Sequence, residues 1–198
     1  MVTTSDVAAL VRIFDDGINV VILERPLGDD LRAAAGRLAA TEGFERKVVI
    51  PPTPRGDVLG IDAALGDDIV FWAGVLADLT GAELIGVRLA RCDHAMCPRF
   101  HVDRVLVRIC IAYAGAGTEY LADADADRRF LGFAAGGNSD ETSGLIREGA
   151  QIARAPTGAV VLLKGEAWPR NLGRGAIHRS PDISSGPPRL VLTLDALG

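Results

Sequence analysis

The sequence predicts an α+β fold, and two observations lead there. Apolar residues at helical spacing are confined to the first ninety positions, where they alternate with short β-branched runs. From residue 100 onward only short apolar runs remain, separated by glycine, proline and aspartate clusters. That is the pattern of a sandwich or jelly roll. The length of 198 residues predicts one compact domain, with an N-terminal α/β portion (1–91) packing on a core (92–198).

The elements follow in order. Ser5-Asp6 supplies oxygen acceptors to cap a short helix over 7–14. Residues 18–23 (INVVIL) are short and β-branched, hence a strand. Residues 29–41 (DDLRAAAGRLAAT) form a helix despite Gly36, because alanine and leucine dominate and carboxylates open it. A strand over 47–50 stops at Pro51-Pro52, and 51–60 is a loop. A helix over 67–79 ends at Thr80-Gly81, and a strand follows over 83–89. The later strands are read at 105–113, 118–121, 150–153, 159–163 and 189–194, with a long loop or lid over 122–144. The alternation Asp123-Ala-Asp125-Ala-Asp127 is a solvated loop, lacking the glycine and distal glutamate of a calcium loop.

Composition narrows the function classes. A net charge of −5 and no basic stripe argue against a nucleic-acid partner. No window of about 18 uninterrupted apolar residues exists, and the first 17 residues lack a cationic start and an apolar run. The expectation is no membrane partner and no signal peptide. Three cysteines, an odd number, fit a reducing, cytoplasmic compartment.

The chemistry-bearing pattern is His101-x-Asp103 with a distant His178. Residues two apart on a strand share a face, so His101 and Asp103 reach one ion without contortion. Val105, Val107, Ile109, Ile111 and Tyr113 would then line the same interior. Two imidazoles and a carboxylate, with positions left open, form the facial triad of non-haem Fe(II) oxygenases. Arg189 follows His178 by 11 positions and opens a strand on which Leu190, Leu192 and Leu194 share one face. Burying that face turns Arg189, Val191 and Thr193 toward the metal, where a guanidinium suits a planar carboxylate. The alternative for Arg189 is a surface salt bridge with Asp195 or Asp182.

His101-x-Asp103, His178 and the late arginine resemble the Fe(II)/2-oxoglutarate-dependent oxygenase superfamily, as does the turn Gly115-x-Gly117-Thr118-Glu119. The signatures Cys97-Pro98-x-Phe100-His101-x-Asp103, Gly117-Thr118-Glu119-Tyr120-Leu121, Leu163-Lys164-Gly165-Glu166 and His178-Arg179-Ser180-Pro181 resemble, more closely, a bacterial family classed as a domain of unknown function. Together they span most of residues 92–195. The resemblance implies a double-stranded β-helix (jelly roll or cupin-like) over the metal-site core, with the N-terminal helices packed on it. It implies Fe(II) on His101, Asp103 and His178, 2-oxoglutarate anchored by Arg189, and hydroxylase-type oxidation of a small molecule or peptide. The chain departs from the superfamily in having Val191 where Ser or Thr is common two residues after the arginine. Thr193 or Tyr113 would have to supply that hydroxyl, and Lys164 or Arg179 is an alternative carboxylate clamp.

A rival ligand set lies just upstream. Cys92-x-His94-x2-Cys97-x3-His101 gathers two thiols and two imidazoles, donors suited to zinc, although the spacing is not that of a finger. With the resemblance's link to metal homeostasis, it implies a non-catalytic zinc-binding protein on the same scaffold. A cupin-type hydrolase or isomerase using another divalent ion is the third reading. Glu119 is expected either to hydrogen-bond a ligand imidazole or to form a strand-edge salt bridge, while Cys110, Trp72 and Trp168 read as packing residues.

Overall fold

The computed structural model describes residues 1–54 and 57–197, which divide into two sheets, two helices and several 3-10 turns. Part of the expected 51–60 loop, residues 55 and 56, lies outside the described residues. Strand β1 (Val2–Thr4) runs parallel to β2 (Val20–Leu23). Between them Val7–Phe14 forms a 3-10 helix, capped by Asp6 accepting from the Ala8 amide at 2.9 Å, with Leu10 and Ile13 buried. Helix α1 (Asp29–Ala40) carries Asp29 and Asp30 in its first turn, where carboxylates favour the helix dipole. Strand β3 (Glu45–Ile50) stops before Pro51. Helix α2 (Ala63–Thr80) begins four residues before the expected start because Asp62 caps it, accepting from the Ala64 amide, and it ends at Gly81.

The remaining strands are β4 (Leu84–Cys92), β5 (Val107–Ala114), β6 (Glu119–Leu121), β7 (Ala153–Arg154), β8 (Val160–Lys164), β9 (Ile177–Arg179) and β10 (Arg189–Leu197). A seven-stranded sheet has the order β1-β2-β8-β5-β10-β4-β3, and a three-stranded sheet the order β7-β6-β9. Strands of the first ninety residues therefore complete the sheet that the later strands build.

Alternation sorts the strand side chains onto two faces of the large sheet. On one, Ile85, Val87 and Leu89 join Val107, Ile109, Ile111, Leu190, Leu192 and Leu194 beneath Leu65, Ile69, Trp72 and Leu76 of α2. The leucine face of β10 is thus the helix-packed one, and each fully buried leucine contributes about 1.5–3 kcal/mol. On the other face Ile22, Cys110, Val161 and Leu163 pack against Tyr120 of β6 and against Ala155 and Ala176. The two sheets therefore face each other with the second apolar layer between them.

Two sequence expectations change here. The chain bends at residues 104–106, so 101–113 is not one continuous strand. The bend reverses the phase. Val107, Ile109, Ile111 and Tyr113 point to the helices, while Arg108 and Cys110 face the same cavity as His101. Among the described residues, none of 122–144 lines that cavity; Ala126, Phe130 and Leu131, with Leu145 and Ile146, instead pack on the outer side of the small sheet, over Phe100, Leu121 and Ile177. Among the described residues, no helix is long and apolar enough to cross a membrane.

Candidate metal centre

His178 sits in β9, a strand too short to be read from sequence, and His101 pairs with it as an isolated bridge. Each donates its amide to the other's carbonyl at 3.0 Å, which brings the ring centroids to 4.4 Å. Asp103 is positioned by the bend, not by a strand. The Glu166 and Ala167 amides donate to the Asp103 and Val105 carbonyls at 2.8 and 3.2 Å, and the Gly165 amide donates to Leu106. Only glycine fits at 165, because a Cβ there would lie 2.0 Å from the Val105 oxygen and 2.9 Å from the Asp103 oxygen.

Asp103 Oδ2 lies 3.3 Å from His178 Nε2, and Oδ1 lies 3.7 Å from His101 Nε2. One ligand atom from each residue falls within 4.8 Å of the others, and among the described residues this is the one group of three or more such side chains. The far side of each ring decides the tautomer. His101 Nδ1 faces the Arg99 carbonyl at 2.9 Å, and His178 Nδ1 faces the Ala176 carbonyl at 3.1 Å. A carbonyl can only accept, so Nδ1 of each ring carries a hydrogen and the Nε2 atom of each ring turns toward Asp103, free to serve as the ligand atom. This is how metal-ligating imidazoles are oriented.

The electrostatics agree. Burial opposes a charge on Asp103, but His178, Arg108 and His101 outweigh it and lower its pKa to about 2. Burial, and then His178, lower the pKa of His101, favouring its neutral, ligating form. The donor set therefore fits a divalent ion.

Both imidazoles line a cavity of about 260 Å³ together with Arg108, Arg189, Val191 and Thr193. Arg189 is 1% exposed, and its Nε donates to the Ala116 carbonyl at 2.6 Å. The turn that presents this carbonyl needs Gly117, where a Cβ would lie 1.9 Å from the Ala155 oxygen. Among the described residues no carboxylate pairs with Arg189, and burial lowers its pKa. The expected alternative partners are engaged elsewhere, Asp195 with Arg108 and Asp182 with the Ser184 amide.

The other candidates separate. Tyr113 lies on the helix face, its hydroxyl donating to Asp68 at 2.6 Å, so the phase reversal removes it from the cavity. Lys164 alternates with the inward-facing Leu163, donates to the Asp15 carbonyl at 3.3 Å and covers the Trp168 ring; it is not a cavity residue. Arg179 lines the cavity with its guanidinium occupied by Glu119, Asp140 and Glu141 at 2.8, 3.1 and 2.9 Å. Glu119 joins Arg154 and Arg179 rather than an imidazole; backbone carbonyls hold the rings instead.

The zinc set does not assemble. Cys92 is buried beside Ala90, Val191 and Met96, and burial pushes its thiol pKa up. His94 is exposed and joined to Asp93 at 2.7 Å, whereas Cys97 is exposed at the cavity wall. Cys110 is buried, its thiol pushed up to about 12. Sequence reasoning missed Arg108 and offered Asp195 to Arg189, whereas it pairs with Arg108. Arg108 lies five residues after Asp103, and only the bend puts it on the ligand side.

Fold and site together define a class: paired sheets enclosing a cavity with a His-Asp-His cluster. Several solved structures share the fold. The chain matches dioxygenase for auxin oxidation 1 from Arabidopsis thaliana, solved with 2-oxoglutarate, with a TM-score of 0.57 at 12% identity, covering 100% of this chain and 93% of that one. A Pseudomonas putida prolyl-4-hydroxylase matches with a TM-score of 0.51 at 17% identity, covering 96% and 99%. HygX from Streptomyces hygroscopicus, solved with iron bound, matches with a TM-score of 0.54 at 11% identity, covering 96% and 85%. At these identities the likeness concerns the fold alone. Residues 4–195 match the family described as "Protein of unknown function (DUF1826)", and the chain belongs to that family. Among curated proteins there is no match.

Proposed function

We propose that this chain is an Fe(II)- and 2-oxoglutarate-dependent oxygenase of the hydroxylase type, built on a double-stranded β-helix. The observation that carries this is Arg189: a buried guanidinium with no carboxylate partner among the described residues, in the same cavity as the His-Asp-His cluster. A buried cation is costly unless an anion completes it. Two open metal positions and one unpaired guanidinium suit a ligand with a chelating end and a distal carboxylate, which 2-oxoglutarate has.

In this reading His101 Nε2, Asp103 and His178 Nε2 hold the ion, and Arg189 takes the distal carboxylate with the Thr193 hydroxyl nearby. Bound iron supplies the oxidising chemistry, with dioxygen and 2-oxoglutarate as co-reactants. The chain fixes geometry: the backbone carbonyls of Arg99 and Ala176 set both rings, and the apolar layer around Cys110 and Tyr120 limits water. The substrate is a small molecule or peptide. Three free thiols suit a cytoplasmic setting.

The test is succinate formation from 2-oxoglutarate in the presence of Fe(II) and oxygen. Wild type should turn over slowly without a second substrate, and His178→Ala should abolish that turnover while retaining the fold. Retained decarboxylation in the variant refutes the assignment. The exposed thiol of Cys97 at the cavity wall favours one competing reading, a non-catalytic zinc-binding protein on the same scaffold.

A further inference from the structure

We infer that Arg108, clamped by Asp195, is a positioning residue that locks the Asp103 carboxylate in place between the two imidazoles; the inference rests on the metal-centre reading above. Arg108 and Asp195 are direct partners across β5 and β10. Arg108 Nε and one terminal nitrogen donate to the two Asp195 oxygens at 2.7 and 2.8 Å, a bidentate pair that fixes the guanidinium plane. The remaining terminal nitrogen donates to Asp103 Oδ2 at 2.9 Å.

The consequence is chemical. A carboxylate free to rotate can turn away from the imidazoles. Here Oδ2 accepts from a fixed guanidinium and lies 3.3 Å from His178 Nε2, while Oδ1 lies 3.7 Å from His101 Nε2, so the carboxylate plane is held between the two rings before any ion arrives. Arg108 also sets the aim of a side chain whose backbone lies outside any strand, where packing alone holds it less firmly. Asp195 fixes the guanidinium from which the hydrogen bond to Asp103 is made.

The experiment is a Co(II) titration of the full chain, followed by calorimetry and by visible absorption, with thermal unfolding of each metal-free protein alongside. Arg108→Gln is expected to weaken Co(II) binding about 10–100-fold, the usual cost of removing a residue that orients a ligand. The Co(II) band should also change intensity as the ligand geometry relaxes. Arg108→Lys should restore part of the affinity, and Asp195→Asn should lower it although the arginine itself is retained. If Arg108→Gln does not fold, Asp195→Asn and Arg108→Lys carry the test. Affinity within two-fold of wild type and an unchanged band in the folded variants overturn the inference while leaving the metal centre standing. Failure of the wild type to bind Co(II) overturns the metal centre itself, and this role with it.

Discussion

Replacing Arg189 with methionine separates binding from stability. The metal-free protein loses the charged hydrogen bond to the Ala116 carbonyl at 2.6 Å, costing about 1.5–3 kcal/mol. It also sheds a 1%-exposed cation lacking a carboxylate partner among the described residues, a change worth about 1–4 kcal/mol in the opposite direction. The two nearly cancel. At about 2–4 °C per kcal/mol for a chain of this size, the melting temperature should move by only a few degrees. If Arg189 holds the distal carboxylate, 2-oxoglutarate has no such compensation: losing its charged partner costs about 2–5 kcal/mol, a weakening of about 30-fold or more. Calorimetric titration of 2-oxoglutarate into the Co(II)-loaded protein reads the affinity, and scanning fluorimetry reads stability. Unchanged affinity, or a fall in melting temperature beyond 10 °C without loss of affinity, refutes the reasoning and makes Arg189 a structural cation.

Two further predictions concern the frame of the site. Gly165→Ala drives a Cβ into the Val105 carbonyl, so it should cost about 1–3 kcal/mol and weaken metal binding by displacing Asp103. Gly36→Ala, with nothing within 4 Å, should instead raise stability by up to about 1 kcal/mol; denaturant unfolding compares them. The metal-free protein should also lose stability in acid. His101 has a folded pKa below its ordinary 6.5 and Asp103 one lowered from 3.8 to about 2, so the unfolded chain binds more protons at each. The first contribution is present above pH 6.5 and fades below it. The second, about 2 kcal/mol, fades between pH 4 and 2. Unfolding at pH 7, 5 and 3 checks this, with His101→Gln removing the first limb and Asp103→Asn the second.

How much of the molecule was legible in the sequence depended on whether the deciding physics was local. The leucine face of β10 followed from strict alternation, and α1 from composition and charged first-turn residues, because both patterns repeat over many positions. The cluster of His101, Asp103 and His178 was legible as a residue pattern, but its geometry was not. Asp103 is aimed by a bend that packs against Gly165, about sixty residues away in sequence, where no larger residue fits. That same bend reversed the faces of β5, concealing Arg108 and misplacing Tyr113. Strand β9 is three residues long, too short for any periodicity, and is defined by its partners Glu119, Tyr120 and Leu121. The thiols of Cys92 and Cys97 are close in sequence yet end on a buried layer and an exposed wall, a distinction their spacing does not encode.

The central claim is that His101, Asp103 and His178 hold iron in a form open to a chelating 2-oxoacid. Its most direct test is anaerobic titration of Fe(II) and then 2-oxoglutarate into metal-free protein, followed by visible absorption. A charge-transfer band is expected that saturates at one equivalent of each, is lost in His178→Ala and survives in Cys92→Ala/Cys97→Ala. Absence of the band, together with one equivalent of zinc that disappears when the two cysteines are replaced, would contradict it.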